Sequence, residues 1–133
     1  MKHVVVVEDD PVNAALFARL LERRGGYRVT HTESPEEVVR LAREGVDLIL
    51  LDVSLRESVF QGRPMNGVEI CQLLKRDPAT AAVPVVLATA HAMRGDDEKL
   101  VAESGAEAYV AKPIVDHQAF MEQIRRVMKA DAA

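Results

Sequence analysis

Two stretches of this chain are apolar without alternation, residues 4–7 (Val-Val-Val-Val) and 48–51 (Leu-Ile-Leu-Leu). A strand wetted on one face alternates apolar with polar. An unbroken run reads instead as a strand covered on both faces, as in a parallel sheet packed between helices. Residues 83–88 and 108–111 continue this pattern, and residues 27–32 form a shorter strand. Between the runs, apolar positions recur at helical spacing. Asp10 and Pro11 predict a cap and first turn, followed by a stripe of Leu16 and Leu20 flanked by Phe17 and Leu21, with Gly25-Gly26 as the stop. Ser34-Pro35-Glu36-Glu37 is a capping box, with Val38, Leu41 and Ala42 facing inward and Gly45 ending the helix. A third helix is predicted over 67–76, burying Val68, Cys71, Leu73 and Leu74, and Asp77-Pro78 breaks it. Helices over 96–104 and 116–128 follow, the last with Phe120, Ile124, Val127 and Met128 inside. Residues 56–66 read as a polar loop.

Five strands alternating with five helices predict an α/β fold. It is a doubly wound five-stranded parallel sheet with right-handed crossovers and strand order 2-1-3-4-5. Its switch point lies between the first and third strands, so Glu8-Asp9 and Asp52 flank the crevice where such sheets bind ligands.

Composition narrows this picture. The 133 residues predict a single domain with a real core. The hydrophobic share of 48% and charged share of 29% are those of a soluble globular protein. A net charge of -4 argues against direct contact with nucleic acid. Cys71 is the one cysteine, which excludes an intramolecular disulfide and a cysteine-based zinc site and suits a small core residue. No leader-like segment and no apolar run near the ~20 residues of a membrane span are present, so the expectation is a cytoplasmic protein. His3, His31, His91 and His117 lack metal-ligand spacing and read as surface residues.

Four strand ends carry chemistry: Glu8-Asp9, Asp52, Thr89 and Lys112. Any one of them alone would be a cap or a surface charge. Together on one edge of a parallel sheet they make a constellation. Clustered carboxylates repel unless a cation joins them. Oxygen ligands without histidine or cysteine point to Mg²⁺, which keeps room for a phosphate. A hydroxyl and an ammonium then stand ready for phosphate oxygens, and the set reads as a phosphoryl-transfer site with a carboxylate nucleophile.

These motifs resemble the receiver domains of two-component response regulators, over essentially the whole chain. Glu8-Asp9 looks like the family's acid pair, Asp52 its phosphoacceptor, Met65-Asn66-Gly67 the opening of its third helix, and Thr89-Ala90 its switch hydroxyl with a small neighbour. Lys112-Pro113 matches the family's lysine and its usually cis proline, and Tyr109 the aromatic switch position. The resemblance implies a flavodoxin-like (receiver) fold and a phosphoacceptor signalling domain. Such a domain catalyses only its own phosphorylation and dephosphorylation. A sensor histidine kinase or histidine phosphotransfer protein would donate to Asp52. Asp9, Asp52 and the Ser54 carbonyl would hold Mg²⁺, with Glu8 acting through water. Lys112 would pair with the phosphoryl group. Thr89 and Tyr109 would reshape the face of the fourth helix, fifth strand and fifth helix for a downstream target protein. Ser54 and His91 match the rim positions that govern phosphate lifetime. Asn13, Ala14 and Ile114 are expected near the rim where a phosphodonor docks. The chain departs from the family at Arg56, where a proline is usual, and in the greater length of the following loop.

Other readings remain at this stage. A haloacid-dehalogenase-type phosphatase would need an acid at Ser54, and a flavodoxin-like cofactor binder a glycine-rich loop in place of Glu8-Asp9-Asp10-Pro11. The chain reads as a single receiver without an output domain, either free-standing or a module excised from a longer regulator or hybrid histidine kinase.

Overall fold

The structure is a computed structural model. It describes residues 1–53, 59–90 and 96–132, with the backbone alone at 59, 96–98, 100 and 130–132. The chain runs β1 (His3–Val7), α1 (Pro11–Gly25), β2 (Arg28–Thr32), α2 (Pro35–Glu44) and β3 (Leu48–Asp52). A short pair, β4 (Val59–Phe60) and β5 (Arg63–Pro64), precedes α3 (Gly67–Arg76), β6 (Val85–Thr89), α4 (Asp96–Ser104), β7 (Ala108–Ala111) and α5 (His117–Ala132). The main sheet is parallel throughout, in the order β2-β1-β3-β6-β7. This is the predicted doubly wound order, with β4 and β5 outside it.

Successive strand residues point to opposite faces, so each unbroken run feeds two cores. Val5, Val7, Ile49, Leu51, Val85 and Leu87 pack with residues of α2 and α3 on one face. Val4, Val6, Leu48, Leu50, Val86 and Val110 pack with α1 and α5 on the other. There Phe17 stacks on Phe120 with ring centroids 5.8 Å apart. Burying a side chain of this size contributes roughly 1.5–3 kcal/mol.

The helix caps follow the sequence. Asp10 accepts from the Val12 amide at the start of α1, and Gly26 closes that helix at φ 68. Ser34 Oγ accepts from the Glu37 amide, while the Ser34 amide donates to Thr32 Oγ1, a partner the capping-box reading did not foresee. In α3 Cys71 and Leu74 are buried as predicted, together with Gly67 and Ile70, whereas Val68 and Leu73 are only half-buried. Ala14 is buried on α1. His3 is half-buried, its ring hydrogen-bonded to Thr30 Oγ1 at 2.7 Å.

The expected polar loop before α3 contains a β-hairpin. Phe60 pairs with Arg63 across Gln61 (φ 50) and Gly62 (φ 79), the two left-handed positions of a two-residue hairpin turn. Phe60 packs on the α2–α3 core, and the Gln61 amide donates to Glu36 Oε1 at 3.0 Å. That bond, more than any other contact, holds the Glu36 carboxyl below its usual range.

Candidate functional site

Strand register sets the site. Val7 lies beside Leu51, Asp52 beside Ala88, and Thr89 beside Ala111. Glu8-Asp9, Asp52, Thr89 and Lys112 therefore emerge on one edge, as predicted. One carboxylate oxygen from each of Glu8, Asp9 and Asp52 lies within 4.8 Å of the others. Glu8, Asp52 and Thr89 are buried, whereas Asp9 is half-buried. The site is thus closed from below and open toward Asp9.

Lys112 connects the acids. Its Nζ donates to Asp52 Oδ1 at 2.9 Å and to Glu8 Oε1 at 3.0 Å. The second Glu8 oxygen accepts the Asp10 amide at 3.1 Å. The Lys112 amide donates to the Thr89 carbonyl at 2.8 Å, which ties the lysine to the strand beside it. Burial lifts the Glu8 carboxyl above its ordinary value, against the pull of Lys112, with Asp52 adding to the rise. Burial also opposes the Lys112 charge, yet Asp52 and Glu8 together hold its pKa above the usual lysine value. Among the described residues one ammonium faces three carboxylates, an excess of negative charge. An all-oxygen donor set with that excess fits a hard divalent cation.

Two backbone features hold Asp52 in place. A β-carbon at Gly67 would overlap the Asp52 carbonyl oxygen, so only glycine lets α3 begin this close to β3. The Gly67 amide donates to the Val53 carbonyl at 3.0 Å. Asn66 caps α3 in a full capping box with Glu69, which fixes the helix start against the strand. The Lys112-Pro113 bond is cis.

Sequence reasoning foresaw the acids and the lysine as neighbours but not the lysine as their bridge. It also missed His31, whose Nε2–H donates to the Glu8 carbonyl at 2.7 Å from the adjacent strand. Register between β1 and β2 was the available signal, because Val6 pairs with His31 just before Glu8. Tyr109 is half-buried against the α2–α3 core, and its carbonyl accepts from Gln123 Nε2 at 2.6 Å. Ile114 is half-buried and packs partly on the α1–α5 core. The rim positions Ser54 and His91, and Arg56, lie outside the described residues. Among the described residues no helix is long and apolar enough to cross a membrane.

The response regulator receiver domain model matches residues 4–128. The polar-differentiation response regulator DivK of Brucella ovis is 41% identical over 114 residues, covering 85% of each chain. Among solved structures, the receiver domain of sensor histidine kinase PA1611 from Pseudomonas aeruginosa has a TM-score of 0.78 at 27% identity, covering 96% of this chain and 98% of that one. It was crystallised with a magnesium ion coordinated in its active-site cleft. A CheY-like receiver protein from Methanospirillum hungatei shares the fold, with a TM-score of 0.80 at 21% identity over 99% of this chain and 97% of that one. The haloacid-dehalogenase-type phosphatase and flavodoxin-like cofactor-binder readings give way to these matches. Fold, strand-end acids and a family model spanning nearly the whole sequence agree, and the chain belongs to the response regulator receiver domain family.

Proposed function

We propose that Asp52 accepts a phosphoryl group from a partner phosphohistidine and that Thr89 and Tyr109 transmit the change. The observation that carries this reading is the buried Lys112 ammonium held 2.9 Å from the Asp52 carboxylate inside a surplus of negative charge. A strand-end aspartate next to two further acids and a lysine supplies the groups that phosphoryl transfer to a carboxylate uses.

In the step itself an Asp52 carboxylate oxygen attacks phosphorus. The P–N bond to the donor imidazole breaks as the P–O bond forms, and the imidazole leaves and takes up a proton. Asp9 and Asp52, with Glu8 behind them, would hold Mg²⁺, which when bound neutralises charge on the transferring oxygens. Lys112 pairs with the new phosphoryl group and loses part of its hold on Asp52. Thr89 Oγ1, one strand over, donates to a phosphoryl oxygen. Tyr109, at the edge of the core, repacks in response, and the face of α4, β7 and α5 changes for a target protein. The donor is a sensor histidine kinase or a histidine phosphotransfer protein in the cytoplasm.

Incubation with acetyl phosphate and Mg²⁺ should add one phosphoryl group by intact mass, and Asp52→Asn should abolish it. Undiminished labelling of that variant would refute the assignment. Asp9→Ala should weaken Mg²⁺ binding measured by calorimetry. Thr89→Ala should still be labelled but lose the NMR shifts at α4, β7 and α5.

A further inference from the structure

At the pole opposite Asp52, where the strands begin, a cleft of about 550 Å³ opens between the start of β1 and the end of α5. Met128 and Tyr27 are its apolar lining, and Lys2, Arg125, Arg126 and Lys129 its cationic lining. Arg24 and Arg28 stand nearby, at the end of α1 and the start of β2. Among the described residues Glu122 is the one acid on the cleft wall. This concentration runs against a net charge of -4 for the whole chain.

The cations have little to do within the fold. Arg125 donates to the Arg24 carbonyl at 3.0 Å, which caps the end of α1. Lys2 reaches Asp47 only at 3.9 Å, and both side chains are well exposed. Among the described residues, Arg126 and Lys129 enter no ion pair. Both are exposed on α5.

We propose that this cleft docks an acidic polypeptide segment carrying an apolar side chain, whose carboxylates meet Lys2, Arg126 and Lys129 while the apolar group rests on Tyr27 and Met128. Charge complementarity selects an anionic partner. The form of the cleft selects among anions. Both helices that end here present carbonyl ends to this pole, so it lacks the cluster of helix N-terminal amides that grips a compact phosphate. Its apolar lining pairs the buried Met128 with the half-buried Tyr27. Separate cations around an apolar floor match an extended chain with carboxylates flanking one buried side chain. The cleft is built without Asp52, and α5 contributes both to it and to the face proposed to switch.

The test uses the full chain and a fluorescein-labelled synthetic peptide of alternating glutamate and leucine, read by fluorescence anisotropy. Saturable binding should weaken as salt rises, and Arg126→Glu and Lys129→Glu should each reduce affinity on the order of tenfold. Arg76→Glu, the same charge change on the exposed side of α3, should leave affinity unaltered. Labelling by acetyl phosphate should be unaltered in Arg126→Glu, so failure of the phosphoacceptor reading would show separately from failure here. Absence of saturable binding would overturn the proposal. So would an equal loss with Arg76→Glu, or tighter binding to phosphatidylserine vesicles or duplex DNA than to the peptide.

Discussion

The two poles of the sheet handle charge in opposite ways. Where the strands end, Glu8, Asp52 and Lys112 are nearly inaccessible and bonded to one another. Where they begin, Lys2, Arg126 and Lys129 stand in water around a cleft. Buried charges are strongly coupled, because each was removed from water and depends on its neighbours. Exposed charges are screened and add little to folding, which leaves them available for a partner. On the roles proposed above, charged side chains would serve chemistry at one pole and recognition at the other, with burial as the difference between them.

The largest expected break in this contrast is Lys112→Met. It leaves Glu8 and Asp52 buried without their shared cation and should cost about 3–5 kcal/mol in urea unfolding. A loss no larger than that of a surface substitution would mean the bridge is not a coupled unit. Gly67→Ala should cost about 1–3 kcal/mol, because the added carbon must displace the Asp52 main chain. Its labelling by acetyl phosphate should slow on the order of a hundredfold. Parent-like labelling would show that Asp52 tolerates the shift.

The poles should also respond to pH with opposite sign. Burial raises Glu8 above 4.5, so the folded state holds its proton more tightly than the unfolded chain. Stability from this group is full below 4.5 and is lost as pH rises through the folded value. Burial, and then Arg28, push His3 below 6.5, against the pull of Asp47. Its contribution is present above 6.5 and is lost as pH falls through the folded value. Glu8→Gln should flatten the first slope and His3→Gln the second. Unchanged slopes in denaturant titrations would remove these groups from the account. The smallest effect is that of Arg126→Glu, expected within about 0.5 kcal/mol of the parent. A larger loss would make the basic pole a structural element.

The sheet was legible because unbroken apolar runs have few other uses, and residues 48–51 are buried on both faces as their pattern requires. Helix starts were legible where proline followed a capping residue, as at Asp10-Pro11 and Ser34-Pro35. The α3 stripe was misjudged because Val68, Ile70, Leu73 and Leu74 offer two overlapping faces, and only packing chooses between them. The hairpin was invisible because two-residue strands are too short to show a period; Gly62 was its one turn signal. Lys112 was legible as a strand-end cation, but its bond to Glu8, 104 positions away, depends on folded geometry. His31 was hidden for the same reason.

The hairpin between β3 and α3 has a consequence for chain length. Loop closure costs only about 0.6 kcal/mol for each doubling of a loop. Here the added residues also give something back, through Phe60 in the core and the Gln61 bond to Glu36. Meanwhile Gly67 and the Asn66 cap restart the helix at a fixed point against β3. The aspartate before this segment and the glycine after it are thus placed by β3 and the α3 cap, and not by the length of chain between them.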